Sequence, residues 1–336
     1  MTSRILHQWQ PEDRTGCTLP EFIVPMPESK DKSESISWPR VTIVTPSFNQ
    51  GHYLEETIRS VLSQGYPNLE YIIIDGGSAD NSVEIIRKYE PWLALWVSEP
   101  DDGQAAAINK GFSRSTGEYL GWINSDDILY PDAIMRVMDA FGAHPNIDLV
   151  YGDVLQGQMV DQGSRPLFGQ QLEFTEMLRT LQVPIPQQGS LWKRAVIDRC
   201  GTLDARWHVV LDREFFTRVA QKGQILYLPG VLGFFRNHEY SKSVSQKRRW
   251  LAELPQMYRE FFDQRDLPID LRQLRRETMG VVFLTCASIA YQCGEISRSA
   301  GYLVKAFGID PLFLLRRYAR SKMTKLLSGI VPMAQP

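Results

Sequence analysis

The chain has 336 residues, of which 43% are hydrophobic and 23% charged, a composition that excludes a wholly disordered protein and fits about two globular domains. Its 37 lysines and arginines nearly balance 39 aspartates and glutamates, so no overall positive charge points to nucleic acid as a partner. The four cysteines are far apart and form no CxxC pair, which excludes a disulfide framework or a zinc knuckle. Without a signal-peptide pattern or a bilayer-length apolar stretch, the sequence predicts a cytoplasmic protein.

The predicted elements, in chain order, are those of an α/β domain. Residues 1–37 include the proline-, serine- and charge-rich run PMPESKDKSESIS, which predicts a flexible tail. Short β-branched segments then alternate with helical ones, as in parallel strands joined by crossover helices. The expected strands are VTIVT, YIIID, EYLGWIN, IDLVYGD, QILYL and VLGFFR. Amphipathic helices follow, so we predict an α/β domain over 38–243 and a helical region over 244–336.

Polar residues follow three of the predicted strands. Pro46, Ser47 and Phe48 follow the first, Asp75 ends the second, and the segment NSDD (residues 124–127) follows the third. In an open α/β sheet, ligands bind at the carboxyl ends of the strands. The sequence therefore predicts one acidic, aromatic-lined crevice at this edge.

The two adjacent carboxylates of NSDD are the most distinctive feature of this crevice. Asp126 and Asp127 each raise the pKa of the other unless a cation or a hydrogen-bond donor lies between them. Oxygen ligands at such a position suit Mg²⁺ or Mn²⁺ that also contacts phosphate oxygens. The alternative is that one of the two aspartates only caps the helix that begins near Pro131.

Four segments, VTIVTPSFNQ, YIIIDGGSADNS, DDGQAAAINKG and GEYLGWINSDD, resemble in their order and separation the nucleotide-sugar-binding half of glycosyltransferase family 2. The likeness continues through VLDREFFTRVAQKG and FRNHEYSKS, to residue 243. It implies a GT-A-type, mostly parallel nucleotide-binding sheet flanked by helices, with a C-terminal all-helical extension. It also implies an inverting enzyme.

The resemblance implies donor-binding roles for Pro46, Ser47, Phe48, Asp75, Lys110, Asn124 and Asp126. The first three would contact the nucleotide base, and Asp75 would accept a hydrogen bond from a uracil imide. The expected donor is therefore a UDP-sugar, with a dTDP- or GDP-sugar as the alternative. Lys110, beside Asn109 on an alanine-rich helix, would border the diphosphate, or it is a solvated surface lysine. Asn124 occupies the first position of the family's Asp-x-Asp motif, where an amide can bind ribose but is a poorer cation ligand.

The same resemblance implies a metal site and a catalytic base. Asp126, then Asp127, and His238 would hold Mg²⁺ or Mn²⁺, with Arg236 and Ser241 beside His238 as phosphate partners.

Asp212 would take the proton of the acceptor hydroxyl, with Glu214 as a competitor. The alternative for Asp212, compatible with this role, is an acidic residue favoured at a helix N-terminus.

The acceptor side is expected from the segment IPQQGSLWKR. Gln187, Gln188 and Trp192 combine polar and aromatic character, as sugar-binding walls do, and a core strand is the equal alternative. The family resemblance implies a surface-glycan or lipid-linked acceptor and a role in polysaccharide biosynthesis. Two rival functions are a non-catalytic sugar-binding scaffold and a sugar-phosphate nucleotidyltransferase.

The C-terminal segment 312–330 carries five basic residues and no acidic one, with apolar residues along one helical stripe. This pattern predicts a peripheral contact with the inner face of an anionic membrane. A helix packed on the domain is the alternative.

Overall fold

The computed structural model describes residues 38–158, 164–167, 169–181, 185–239, 241–309 and 311. The predicted tail over 1–37 and the basic segment 312–330 lie outside the described residues. The chain divides into two compact units, one of residues 1–171 and 183–241 and one of residues 172–182 and 242–336. The second unit thus includes residues 172–182, which the sequence analysis assigned to the α/β domain.

The described part of the first unit contains nine strands in one sheet. The strands are β1 (Val41–Ser47), β2 (Leu69–Asp75), β3 (Leu95–Ser98), β4 (Tyr119–Trp122), β5 (Ile128–Leu129), β6 (Leu149–Gly157), β7 (Arg165–Leu167), β8 (Leu191–Lys193) and β9 (Ile225–Arg236). Their order is β3-β2-β1-β4-β8-β6-β9-β5, with β7 paired to β6. The first four strands run parallel, whereas β8 is antiparallel to both of its neighbours. The predicted α/β fold is confirmed, with a mixed sheet.

The helices are α1 (Gly51–Leu62), α2 (Ser82–Tyr89), α3 (Gln104–Arg114), α4 (Ala133–Ala143), α5 (Phe174–Thr180), α6 (Ala195–Cys200), α7 (Leu211–Lys222), α8 (Lys242–Ser245), α9 (Lys247–Phe262), α10 (Ile269–Gln273), α11 (Arg275–Gln292) and α12 (Ile296–Ile309). Helix α1 buries Leu54, Ile58 and Val61 against the sheet, as the three-and-four spacing predicts. Helix α4 begins after β5, so neither aspartate of NSDD caps it and that alternative is wrong.

A second layer of the core is aromatic. Trp122 of β4 stacks on Phe216 of α7, with ring centroids 5.5 Å apart, and lies 5.3 Å from Trp192 of β8. Phe215 contacts both tryptophans. Helix α7 is therefore held on the sheet by its two phenylalanines, which fixes the position of its N-terminal turn.

The structure corrects the prediction of two separate strands after α7. Strand β9 runs without a break through Pro229 and Gly230. Its register against β6 shifts where Leu228 faces Gly152 and Val231 faces Asp153, so the two intervening residues form a bulge. Gly230 takes a φ of 117°, which glycine tolerates, and this turn-like dipeptide bends the strand without ending it.

The described part of the second unit is all-helical, as predicted for the C-terminal region. Phe283 of α11 stacks on Tyr302 of α12 at 6.1 Å, and the Tyr302 hydroxyl donates a hydrogen bond of 2.9 Å to the Leu251 carbonyl of α9. These contacts join three helices into one packed group. Among the helices of the described residues, none combines the length and the apolar character that crossing a membrane requires.

Candidate functional site

The carboxyl ends of three neighbouring strands share one edge of the sheet. Strand β1 lies between β2 and β4 and runs parallel to both. Ser47 pairs in register with Asp75, and the Ile123 amide donates to the Val44 carbonyl at 3.0 Å, directly before Asn124. The strand order therefore brings the polar residues that follow these strands to the same edge.

The end of β1 presents one aromatic ring to solvent. Pro46 and Ser47 are buried, whereas the Phe48 side chain is 60% exposed. Asn49 follows with a left-handed φ of 52°, and its Oδ1 accepts a hydrogen bond of 2.8 Å from the Ala79 amide. This turn leaves the Phe48 ring at the rim, where its face can pack against a planar nucleotide base.

The Asp75 carboxylate is fully buried at the end of β2 and already carries four hydrogen bonds. Its Oδ2 accepts from the amides of Gly77 and Ser78 and from the Ser98 hydroxyl, and its Oδ1 accepts from the Ser78 hydroxyl. A carboxylate has about four acceptor positions. A uracil imide could therefore reach Asp75 only if one of these donors turned away.

The NSDD segment forms a tight turn that separates its two carboxylates. The Asp127 amide donates to the Asn124 carbonyl at 3.1 Å, and the Asn124 side-chain amide donates to Asp127 Oδ2 at 3.2 Å. Gln104 Nε2 donates to Asn124 Oδ1 at 2.6 Å. Asp127 is fully buried, whereas the Asp126 side chain keeps 15% of its surface exposed.

The buried carboxylate is surrounded by donors. Gln187 Nε2 and Gln188 Nε2 each donate to Asp127 Oδ2 at 2.7 Å, and the Arg236 amide donates to Oδ1 at 3.0 Å. Burial, and next the negative charge of Asp126, raise the pKa of the Asp127 carboxyl well above its ordinary value. The pKa effect predicted for adjacent carboxylates therefore occurs at Asp127, with burial as its larger cause.

The segment expected to bind the acceptor faces the protein interior. Gln187 and Gln188 are each 5% exposed and directed at Asp127, and Trp192 has no exposed surface. Trp192 is therefore a core-strand residue, which was the alternative to acceptor binding. An indole ring packed on all sides cannot contact a sugar.

The partly exposed carboxylate of Asp126 lies beside His238, which follows the end of β9. His238 Nε2 lies 3.0 Å from Asp126 Oδ2, and its ring lies 4.5 Å from that of Tyr53. The predicted phosphate partner Arg236 is buried, and its guanidinium donates to Glu56 at 2.6 Å and to the Asp126 carbonyl at 2.9 Å. The Ser241 hydroxyl donates to the His238 carbonyl. The Arg236 side chain thus supports the NSDD turn, and the Ser241 hydroxyl supports the backbone at His238.

The separation of Asp126 Oδ2 and His238 Nε2 fits two adjacent ligands of one divalent cation, with the carboxylate as the hard oxygen ligand. Ligand atoms about 2.1 Å from one octahedral ion lie about 3 Å apart when adjacent, and Mg²⁺ typically takes one or two carboxylates and fills its other positions with water and substrate phosphate. Within the described ranges, no cluster of three or more histidine, cysteine, aspartate or glutamate side chains is arranged as a metal site. Asp127 fits poorly as a ligand because its oxygens already accept four hydrogen bonds.

The predicted base and its competitor differ in their contacts. Asp212 lies in the first turn of α7, half-buried, and its Oδ1 accepts a hydrogen bond of 2.7 Å from the Arg213 amide. Both oxygens of Glu214 bind the Arg218 guanidinium, at 2.6 and 2.8 Å. The ion pair therefore holds both oxygens of Glu214 on its own helix.

Helix α3 carries the two residues expected beside the diphosphate. Lys110 Nζ donates to Glu99 Oε1 at 3.0 Å, and this hydrogen bond lowers the pKa of the exposed Glu99 carboxyl. Asn109 bonds both the amide and the carbonyl of Leu203. Asn109 thus ties α3 to the segment before α7.

Three residues that contact this site are not among those predicted from the sequence: Tyr53, Glu56 and Gln104. Tyr53 and Glu56 lie in the first two turns of α1, outside its buried apolar residues, and Gln104 begins α3. The only signal for them was their position: each lies in a helix that follows the carboxyl end of a strand.

Comparisons with known sequences agree with this geometry. Residues 42–199 match the model of the family Glycosyl transferase family 2. An uncharacterised glycosyltransferase of Mycobacterium tuberculosis is 32% identical over 189 residues, which cover 55% of this chain and 70% of that protein. A PGL/p-HBAD biosynthesis glycosyltransferase of Mycobacterium bovis is 25% identical over 223 residues, covering 65% and 84% of the two chains.

Solved structures share the fold. The 1–349 portion of S. aureus TarS in complex with UDP-GlcNAc superposes with a TM-score of 0.61 at 16% identity, covering 84% of this chain and 88% of TarS 1–349. The Pyrobaculum calidifontis mannosyltransferase PcManGT in complex with GDP-Man and Mn²⁺ has a TM-score of 0.58 at 19% identity, with coverages of 87% and 81%. The family is shown by the sequence relatives: the chain belongs to glycosyltransferase family 2 and is a glycosyltransferase.

Proposed function

We propose that the protein transfers a sugar, with inversion, from a nucleoside-diphosphate donor to a hydroxyl group of a surface-glycan or lipid-linked acceptor. The observation that carries this proposal is the meeting of Asp126 Oδ2 and His238 Nε2, 3.0 Å apart, at the strand edge that also bears Phe48 and Asp75. Ligands for a divalent cation beside an exposed aromatic ring can bind the diphosphate and the nucleotide base of one donor molecule together. The structures of relatives with UDP-GlcNAc and with GDP-Man and Mn²⁺ support the donor class.

A UDP-sugar is the proposed donor. Phe48 would pack against the base, with Pro46 and Ser47 behind it, and Asp75 would accept the imide hydrogen of uracil. The Ser78 and Ser98 hydroxyls are the donors most easily released from Asp75, because each can rotate about its own C–O bond, unlike the two backbone amides. Asn124 would hold the ribose, and a donor diphosphate would compete with Glu99 for the Lys110 ammonium.

The proposed reaction is one in-line displacement at the anomeric carbon. Asp212 takes the proton of the acceptor hydroxyl while the acceptor oxygen bonds to that carbon. The bond from the anomeric carbon to the diphosphate oxygen breaks, and the diphosphate leaves with the electron pair. Attack on the face opposite the leaving group inverts the configuration.

Asp126 and His238 would hold Mg²⁺ or Mn²⁺ beside the diphosphate. The ion, when bound, offsets the negative charge that accumulates on the departing nucleoside diphosphate. The protein keeps the two ligands adjacent by fixing the turn that carries Asp126.

A thermal-shift panel tests the donor and cation together. We expect UDP with Mn²⁺ or Mg²⁺ to raise the melting temperature more than GDP or dTDP does, because a ligand bound only by the native state stabilises it. A chelator should remove most of the shift. Equal shifts with and without chelator would contradict the metal proposal, and no shift with any nucleotide would contradict the donor proposal.

A further inference from the structure

The buried aspartate of the NSDD turn is connected to three separate parts of the first unit. Its carboxylate accepts hydrogen bonds from Asn124 within the turn, from Gln187 and Gln188 before β8, and from the Arg236 amide at the end of β9. All these donors are uncharged, and together they satisfy a group that would otherwise be costly to bury. The carbonyl of the same residue, Asp127, accepts a hydrogen bond of 2.7 Å from Thr57 of α1.

These bonds occupy the acceptor positions that a metal ion would need. A carboxylate offers about four such positions, and four donors lie within 3.2 Å of Asp127. Asp126 differs, because its carboxylate retains exposed surface and faces His238. Asp127 therefore makes internal hydrogen bonds, whereas Asp126 is available to a ligand.

The link from Asp127 to β9 explains why Asp126 meets His238. The Arg236 amide binds Asp127 Oδ1, while the Arg236 side chain binds the Asp126 carbonyl. His238 follows Arg236 by two residues, so the bond between the turn and Arg236 fixes the separation of Asp126 and His238. The two glutamines hold the other oxygen of the same carboxylate.

We propose that Asp127, Gln187 and Gln188 are positioning residues that hold Asp126 against His238. Asp127 then acts through Asp126 and is not itself a metal ligand, and the two glutamines act on the cation site and not on the acceptor. The predicted effect on cation binding rests on the proposed function. The contact between Asp126 and His238 exists in the protein without any ligand.

An exchange of donor and acceptor tests this arrangement. Asp127→Asn weakens the network because an amide has one acceptor oxygen, and Gln188→Glu places a second carboxylate against Asp127. The double variant Asp127→Asn/Gln188→Glu restores a carboxylate–amide hydrogen bond with the original total charge of the pair. A metal ligand at position 127 would not be restored by this exchange, since the carboxylate now lies at position 188.

A matched control separates positioning from general stability. Gln64 is as buried as Gln188, at 3% exposure, and its side chain also makes internal hydrogen bonds, to the Ser60 and Tyr130 carbonyls. Gln64→Met should lower the melting temperature while leaving cation affinity unchanged. Gln188→Met should lower both.

Two measurements are made on the full chain. Mn²⁺ binding is followed by electron paramagnetic resonance with saturating UDP, and the imidazole signals of His238, assigned with His238→Asn, are followed by NMR without metal. Changing a residue that orients a metal ligand typically costs 10- to 100-fold in affinity, so we expect about that loss in Asp127→Asn. In the double variant, affinity should return to within a few-fold of wild type and the His238 signals to their original positions.

Three results would overturn the proposal. The first is a double variant no better than Asp127→Asn, which would make the carboxylate at 127 a ligand. The second is unchanged Mn²⁺ affinity in Gln188→Met and Asp127→Asn, and the third is an equal loss in Gln64→Met. If the wild-type protein bound no Mn²⁺ with UDP, the proposed function would fail, and the His238 signals alone would decide the positioning role.

Discussion

The four carboxylates at this site differ in how far they are buried, and this difference indicates which of them a ligand can reach directly. Asp126 is partly exposed beside His238, and Asp212 is half-buried in the first turn of α7, where the helix dipole favours an ionised carboxylate. Asp75 and Asp127 are fully buried and saturated with internal donors. Asp126 and Asp212 therefore keep surface that a ligand can reach directly, whereas Asp75 would have to release one of its donors to bind uracil.

Asp126→Ala should remove the metal-dependent part of the stabilisation by UDP. A ligand present at about 100 times its Kd stabilises the native state by about 2.7 kcal/mol, so the loss is measurable by thermal shift with Mn²⁺ and with chelator. Asp148→Ala serves as the control. Asp148 directly precedes β6, forms an ion pair with Arg199, and is not among the predicted metal ligands. The control should lower the melting temperature and keep the Mn²⁺ effect; a full Mn²⁺ effect in Asp126→Ala would contradict the assignment.

Asp212→Asn should lower turnover roughly 100-fold or more, the scale of a lost general base, with UDP affinity nearly unchanged. The comparison is Glu214→Gln, which breaks the ion pair with Arg218 in the same helix. It should reduce stability and leave turnover within a few-fold of wild type. Near-wild-type transfer by Asp212→Asn would move the base to Glu214 or elsewhere.

At the scale of elements, close packing of α3 on β1 positions the helix that carries Asn109 and Lys110. A Cβ on Gly111 would lie 2.8 Å from Val44 Cγ2 and closer still to Cγ1. Val44 is fully buried in the centre of β1 and cannot move aside. The glycine is therefore required by the distance between helix and strand.

Gly111→Ala should destabilise the protein by about 1–3 kcal/mol, because the added methyl group overpacks the core. In the double variant Gly111→Ala/Val44→Ala, the smaller residue at 44 should make room for that methyl group and recover part of the loss. Gly142→Ala in α4 is the matched control, since nothing lies within 4 Å of its Cβ. That substitution should stabilise by about 0.4–1 kcal/mol. Urea unfolding of the four variants measures these differences, and a neutral Gly111→Ala would show that α3 can shift.

At the scale of the whole molecule, contact with a membrane stays a prediction from the sequence, because residues 312–330 lie outside the described residues. The preceding helix α12 leaves Val304 and Phe307 exposed, at 71% and 46%. Basic residues that follow exposed apolar ones in the sequence favour an anionic lipid interface.

Vesicle flotation at low salt decides the membrane contact. The full chain should float with anionic vesicles and not with neutral ones, and deletion of everything after Asp310 should abolish flotation. Replacing Arg316 and Arg317 by glutamine should weaken flotation without removing apolar surface. Equal flotation of the truncated chain, or none of the full chain, would assign the segment to packing.

The sequence by itself determined the elements and the edge at which the site lies. Short β-branched runs predicted β1, β2 and β4, and a three-and-four apolar spacing predicted α1 and α4, because burial of one helix face imposes a local period. Parallel connection then placed the residues after three strands together, since parallel strands share their carboxyl edge. Phe48, Asp75 and the NSDD turn could therefore be identified without coordinates, as could the family resemblance.

Only the tertiary structure decided which polar side chains face inward. Gln187, Gln188 and Arg236 meet Asp127 across 60, 61 and 109 positions of sequence, and no local period encodes such a partner. A polar or aromatic residue is compatible both with a binding wall and with an internal contact. These polar groups face inward because the buried Asp127 carboxylate needs hydrogen-bond donors. Burying it without donors would cost more free energy than the fold can lose.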